Sequence, residues 1–202
     1  MHRMINRIPN QEANSLAIRV YIDQGHNPVS PNSGAEGNGY REQDLVYRIG
    51  ILTAELLRED PAFEVRLSRP TADTQLGTSN ATSLRARVED ANSWGADVFL
   101  SLHNNASTSS SVSGLEALVY QNGGTAYSIA QALLASLSEI TGLRNRGIFV
   151  RPGLYVLRRT AMPAVLLELG FITNPSDAAL LASSPGLFAE GIYRGLKRYY
   201  DV

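Results

Sequence analysis

Short apolar runs rich in aliphatic and β-branched residues alternate with longer stretches of helical periodicity along almost the whole chain. Each short run buries itself as a strand, and each amphipathic stretch needs an apolar layer to cover. Such alternation builds strand–helix crossovers around a largely parallel sheet. AIRVYID at 17–23 reads as the first strand, and 24–40, full of Gly, Pro, Asn and Ser, as a loop. Over 42–58 the apolar residues Leu45, Ile49, Leu52 and Leu56 recur at helical spacing, which marks an amphipathic helix. Residues 63–68 give a second strand, and a helix from Ser79 or Asn80 to about Trp94 closes at Gly95.

ADVFLSLH at 96–103 and the run 114–120 read as the third and fourth strands, and a helix over 126–141 stops at Gly142. Residues 154–157 read as a short strand. AVLLELG at 164–170 has the continuous apolar character of a strand buried on both faces. Asn174, Pro175 and Ser176 open a small helix. Ser184 and Pro185 start the last one, with Leu187, Phe188, Ile192 and Leu196 on one side. The expectation is a single α/β domain with a mostly parallel sheet and helices on both faces. In sheets of this class ligands sit beyond the carboxyl ends of the strands.

At 202 residues the chain can bury one continuous core. Its 18 basic and 19 acidic side chains leave no basic excess for a polyanion, so no nucleic-acid partner is expected. No run reaches the roughly 20 apolar residues of a membrane span. Residues 1–16 form a polar lead without the apolar stretch of a secretory signal, and 17–202 is expected to form the folded domain. A trimmed chain, a piece of a longer protein, or export by another route would each explain that lead.

There is no cysteine, which removes disulfides, thiolate nucleophiles and Cys-type zinc sites together. Any metal must therefore be held by His, Asp and Glu, and the only histidines are His2, His26 and His103. His26 follows the first strand by two residues, and His103 ends the third. Singly, each reads more simply as a hydrogen-bonded loop residue; both at strand ends, in so histidine-poor a chain, point to a shared site. Glu42, in the first turn of its helix, reads alone as a favourable charge at a helix N-terminus. If the loop folds back beside His26, two imidazoles and a carboxylate make a three-ligand set suited to catalytic zinc.

Glu168 interrupts the apolar run 164–167. A carboxylate there costs several kcal/mol unless it is paired, protonated or near a metal. Arg158 or Arg159 would serve a buried salt bridge; a carboxyl of raised pKa beside the crevice would serve a general base. The latter reading is preferred.

These residues sit in the runs VYIDQGHNP (20–28), GAEGNGYRE (34–42), VRLSRP (65–70), LRARVEDAN (84–92), ADVFLSLHNNA (96–106), GLEALVY (114–120) and PAVLLELGFITN (163–174). In order and spacing they resemble the zinc-dependent N-acetylmuramoyl-L-alanine amidases, cell-wall hydrolases that include autolysins and phage endolysins. The resemblance runs from about Ile18 to Tyr200. It implies a twisted, mostly parallel six-stranded sheet, one zinc ion on His26, Glu42 and His103, and Glu168 as the catalytic acid or base. It also implies peptidoglycan as substrate, action in the cell wall or outside the cell, and a monomer. Gln24 departs from the proline usual before Gly-His, Asn27-Pro28 from the small residues after it, and the loop 28–33 is this chain's own. These changes put fine substrate preference in doubt.

Further candidates flank the set. Glu116 reads either as a groove residue or as a solvated strand position. Arg69 and Arg87 read as structural ion pairs or caps before substrate contacts. Asn104 and Asn105 are placed to position a loop or bind glycan, and Asp23 to hold a ligand histidine or a loop amide. Two other functions use the same set: another zinc peptidase or deacetylase acting on cell wall, and a wall-binding module that has lost catalysis.

Overall fold

A computed structural model describes residues 17–202; the polar lead 1–16, with His2, lies outside the described residues. In chain order the elements are β1 (Ile18–Gln24), β2 (Glu36–Gly37), β3 (Tyr40–Arg41), α1 (Glu42–Glu59), β4 (Phe63–Leu67), α2 (Asn80–Trp94) and β5 (Val98–Asn105). They continue with β6 (Leu115–Val119), α3 (Gly124–Thr141), β7 (Asn145–Val150), α4 (Tyr155–Arg159), β8 (Ala164–Phe171), α5 (Pro175–Ser183) and α6 (Pro185–Tyr200). Six strands form one sheet in the order β4-β1-β5-β8-β6-β7, and β2 and β3 form a two-stranded hairpin inside the loop after β1. Within the sheet only the β6–β8 pairing is antiparallel.

Side-chain alternation splits the core between the two faces of this sheet. One face carries Val20, Ile22, Leu100, Leu102, Val165 and Leu167 and is covered by α1, α3 and α6. The other carries Tyr21, Phe99, Leu118 and Leu166 and is covered by the shorter α2 and α4.

Local chemistry explains the boundaries. Ser79 and Thr82 form a capping box at the start of α2, which supplies two of the backbone partners a helix start lacks, and Gly95 closes the helix. Asn174 caps α5 by accepting from the backbone N–H groups of Ser176 and Asp177, with proline in the first turn. In α6, Phe188, Ile192 and Leu196 are fully buried, each worth roughly 1.5–3 kcal/mol. Leu187, expected on the same side, instead faces solvent at 39% exposure. The buried stripe of α1 is likewise turned slightly from the expected one. Val46, Ile49, Ala54 and Leu57 are fully buried, while Leu52 and Leu56 are only partly so.

One strand was misplaced by sequence reasoning. Residues 154–157 are not a strand: Tyr155–Arg159 is the helix α4, and the sixth strand is β7, at Asn145–Val150. A four-residue apolar run does not distinguish strand from buried helical turn. β7 is an edge strand whose six residues are all exposed or partly exposed, so it lacks the apolar signature of the others. Among the described residues no helix is long and apolar enough to cross a membrane.

Candidate active site

His26, Glu42 and His103 are delivered by three different devices to one point. His103 lies on β5, opposite Glu168 of β8 in the parallel register. Just beyond that pair the register shifts, so that Asn105 lies opposite Phe171, a bulge of the kind that re-aims side chains at sites. His26 lies in the turn after β1 with φ of +66°, a left-handed conformation uncommon outside glycine. The turn is pinned from both sides. Buried Asn27 donates from Nδ2 to the carbonyls of Pro31 and Leu76, and Arg87 donates to the His26 carbonyl. Glu42 opens α1; its Oε2 accepts from the Ala35 N–H and its Oε1 from the Asn104 N–H.

The result is a compact donor set. Glu42 Oε1 is 3.1 Å from His26 Nε2 and 3.0 Å from His103 Nδ1, and one donor atom from each residue lies within 4.8 Å of the others. Tetrahedral zinc with bonds of about 2.0–2.1 Å keeps its ligand atoms about 3.3 Å apart, so the residues present fit that ion. Burial would raise the Glu42 pKa, but hydrogen bonds from His103 and His26 outweigh it and hold the carboxylate ionised. His26 Nδ1 and Glu168 Oε2 are buried without a hydrogen-bond partner in the chain. Buried polar groups in this condition need a partner from elsewhere.

Two glycines make the approach possible. A Cβ on Gly25 would lie 2.5 Å from His103 Cε1, and one on Gly34 would lie 2.8 Å from Glu42 Oε2. Gly25→Ala is therefore expected to push the His103 ring out of line and weaken zinc binding by about 10- to 100-fold, the usual range for disturbing a ligand's support. Zinc titration of the purified variant checks this; unchanged affinity would mean that the ring has room to move.

Glu168 sits between His103 on one side and Glu116 on the other, both its register partners across the sheet. Burial, then the charges of Glu42 and Glu116, push its carboxyl up to about 8. The salt bridge to Arg158 or Arg159 is not formed: both arginines are exposed. Glu116 is neither solvated nor free. Its Oε1 accepts from Arg146 Nε at 2.7 Å and its Oε2 from Asn105 Nδ2 at 3.0 Å, a bridge across β5, β6 and β7.

The remaining candidates are engaged within the protein. Asp23 pairs with Arg87 and accepts from Ser101, so it reaches His26 only through Arg87 and binds no histidine. Arg69 donates to the Gln43 and Ala72 carbonyls and lies over the Tyr47 ring. Arg69 and Arg87 are each 1% exposed. Asn104 is also buried; its backbone N–H holds Glu42, and its side-chain nitrogen and oxygen have no hydrogen-bond partner in the chain. Gln24, the departure before Gly-His, turns to the α1 side. It bonds Ser68 and Arg69 there, which makes it a core substitution. Arg146 and Asn27 were missed by sequence reasoning, Arg146 because β7 itself was not recognised.

A model of the N-acetylmuramoyl-L-alanine amidase family matches residues 20–198. The chain belongs to that family. It is similar to the N-acetylmuramoyl-L-alanine amidase CwlM of Bacillus licheniformis, 34% identical over 92% of this chain and 70% of that one. Among solved structures it is similar to the catalytic domain of the amidase CwlV from Bacillus (Paenibacillus) polymyxa var. colistinus. The TM-score is 0.81 and the identity 33%, over 92% of this chain and 99% of that chain. A Clostridium difficile 630 amidase gives the same TM-score, 0.81, at 32% identity over 93% of this chain and 98% of that one. The six-stranded mixed sheet with helices on both sides is thus the amidase catalytic fold.

Proposed function

We propose that residues 17–202 form a catalytic domain in which His26, Glu42 and His103 hold one zinc ion and Glu168 moves the proton. The activity is that of the family: hydrolysis of the peptidoglycan amide between N-acetylmuramic acid and L-alanine. The observation that carries the site assignment is the convergence of three donor atoms within 4.8 Å, with Glu168 in register beside His103.

Held by that set, a zinc ion would supply Lewis acidity that makes water more acidic and polarises the amide carbonyl. The protein supplies the rest. The backbone N–H groups of Ala35 and Asn104 donate to the Glu42 carboxylate and hold it in place as a ligand. Glu168, whose Oε2 is buried and unpartnered, accepts a proton from the attacking water. As the C–N bond breaks it gives that proton to the departing amine, so the products are a lactyl carboxylate and a stem peptide with a free N-terminus. Action as a monomer is part of this proposal. The substrate supports action in the cell wall or outside the cell.

Digestion of purified peptidoglycan followed by mass analysis tests this. Intact stem peptides beginning with alanine are expected, lost on chelation and restored by zinc. Shortened peptides or free acetate would instead support a carboxypeptidase or a deacetylase, and activity that survives chelation would remove zinc from the account. A chain inert with zinc restored would be a wall-binding module.

A further inference from the structure

A cavity of about 140 Å³ opens directly beside the two imidazoles. Its walls include the rings of His26 and His103 and the side chains of Leu84, Leu154, Val156 and Leu166. Asp23 and Arg87 also line it, but both are buried and already engaged with each other. Asn32, whose amide nitrogen donates to Ser83, and Tyr155 complete the lining, so what the cavity offers a guest is mostly hydrocarbon. Its size is close to that of an apolar cavity of about 150 Å³ that accepts benzene. A sugar ring would leave its hydroxyls unpaired against such walls, at a cost of about 1–3 kcal/mol each. An aliphatic group loses nothing there and gains by leaving water.

We propose that this pocket is the subsite for an aliphatic substituent on a carbon flanking the scissile amide. The inference rests on the amidase reading. Because the pocket shares the His26 and His103 rings with the donor set, a group within a few bonds of the reacting carbonyl can reach it. Only two groups in the substrate meet that condition, the alanine methyl on the amine side and the lactyl methyl on the carbonyl side; the chemistry is the same. The pocket is larger than a methyl requires. If it is the amine-side subsite, aliphatic residues larger than alanine are accepted at the first stem position, a wider substrate range than the family name states.

N-acetylmuramoyl peptides with glycine, alanine or valine at the first position, and a glycolyl counterpart lacking the lactyl methyl, distinguish the sources. Removing the occupying methyl is expected to lower kcat/KM about 10- to 200-fold, the range for one methyl in an apolar pocket. Loss with glycine assigns the alanine side, where valine should then be cleaved within about tenfold of alanine. Loss with the glycolyl substrate assigns the lactyl side. Leu84→Phe, which adds bulk to the cavity wall from α2, should erase the preference by slowing only the methyl-bearing substrates. Leu84→Ala should enlarge the pocket and raise the relative rate of the bulkier substrate. Zinc content and melting temperature, measured on both variants, report folding and loading.

Full-rate cleavage of both demethylated substrates by the unaltered enzyme would overturn the subsite, as would both variants slowing all substrates equally with zinc retained. Failure of the zinc-loaded enzyme to cleave whole peptidoglycan would overturn the amidase reading instead. Cleavage of whole peptidoglycan without any methyl preference would leave that reading standing and remove the subsite alone.

Discussion

Glu168→Gln is expected to bind zinc as the unaltered chain does and to lose about 10²- to 10⁴-fold in kcat, the usual contribution of a positioned general acid–base. The amide is nearly isosteric, so β8 and its pairings with His103 and Glu116 should persist. What disappears is the ability to carry a proton between water and the leaving nitrogen. Rates within threefold of the unaltered enzyme would remove Glu168 from the mechanism. The same variant reports on the site with the metal stripped away. Burial and the neighbouring carboxylates push the Glu168 carboxyl up to about 8, against about 4.3 in an unfolded chain. Between those values the unfolded chain releases a proton that the folded chain keeps, so folded stability falls as pH rises. Chelator-treated Glu168→Gln should therefore melt above the chelator-treated unaltered chain at pH 8, and the gap should shrink at pH 5. A gap independent of pH would show that Glu168 is ionised without the metal.

The sequence displays what depends on period and punctuation. Strands β1, β5, β6 and β8 carry apolar-rich runs bounded by turn residues, and β4 alternates apolar with charged side chains. α2 announces itself by Ser79 before and Gly95 after. The site was legible for a different reason: with no cysteine and so few histidines, the two that end buried strands have few other partners to choose from. Glu168 stood out because a charge inside an apolar run requires an explanation. Other features were illegible because they depend on distance in space. β7 is an exposed edge strand and has no apolar period to read. Nothing local marks Gly25 as the floor beneath His103, or Arg146 as the partner of Glu116, since those contacts form only when the sheet closes. Nor does Asp23 reveal that its link to His26 runs through Arg87, a residue on α2 on the other side of the turn.

That link carries the second large effect, expected for Asp23→Asn. Asp23 and Arg87 are both 1% exposed and joined by a charged hydrogen bond, with Ser101 completing the carboxylate's shell. Burial alone would raise the Asp23 pKa; the Arg87 charge and hydrogen bond outweigh it and hold the group below its usual value. Asparagine would leave the guanidinium buried without a counter-charge, which costs about 3–5 kcal/mol. Thermal melts of the metal-free proteins should show that loss near pH 7. It should narrow in acid, because the stability that Asp23 contributes is present above the unfolded carboxylate pKa and disappears as pH falls through the lower folded one. Structure and function then meet at one atom: Arg87 also holds the His26 carbonyl, and a left-handed residue stays in place only while its surroundings insist. Zinc affinity in Asp23→Asn should accordingly drop about 10- to 100-fold. Adding Arg87→Met separates charge from support. The double variant should recover part of the stability, because no lone charge remains, but none of the zinc affinity, because the carbonyl has lost its donor. Recovery of both would mean that the pair serves the core alone and that His26 holds its turn without it.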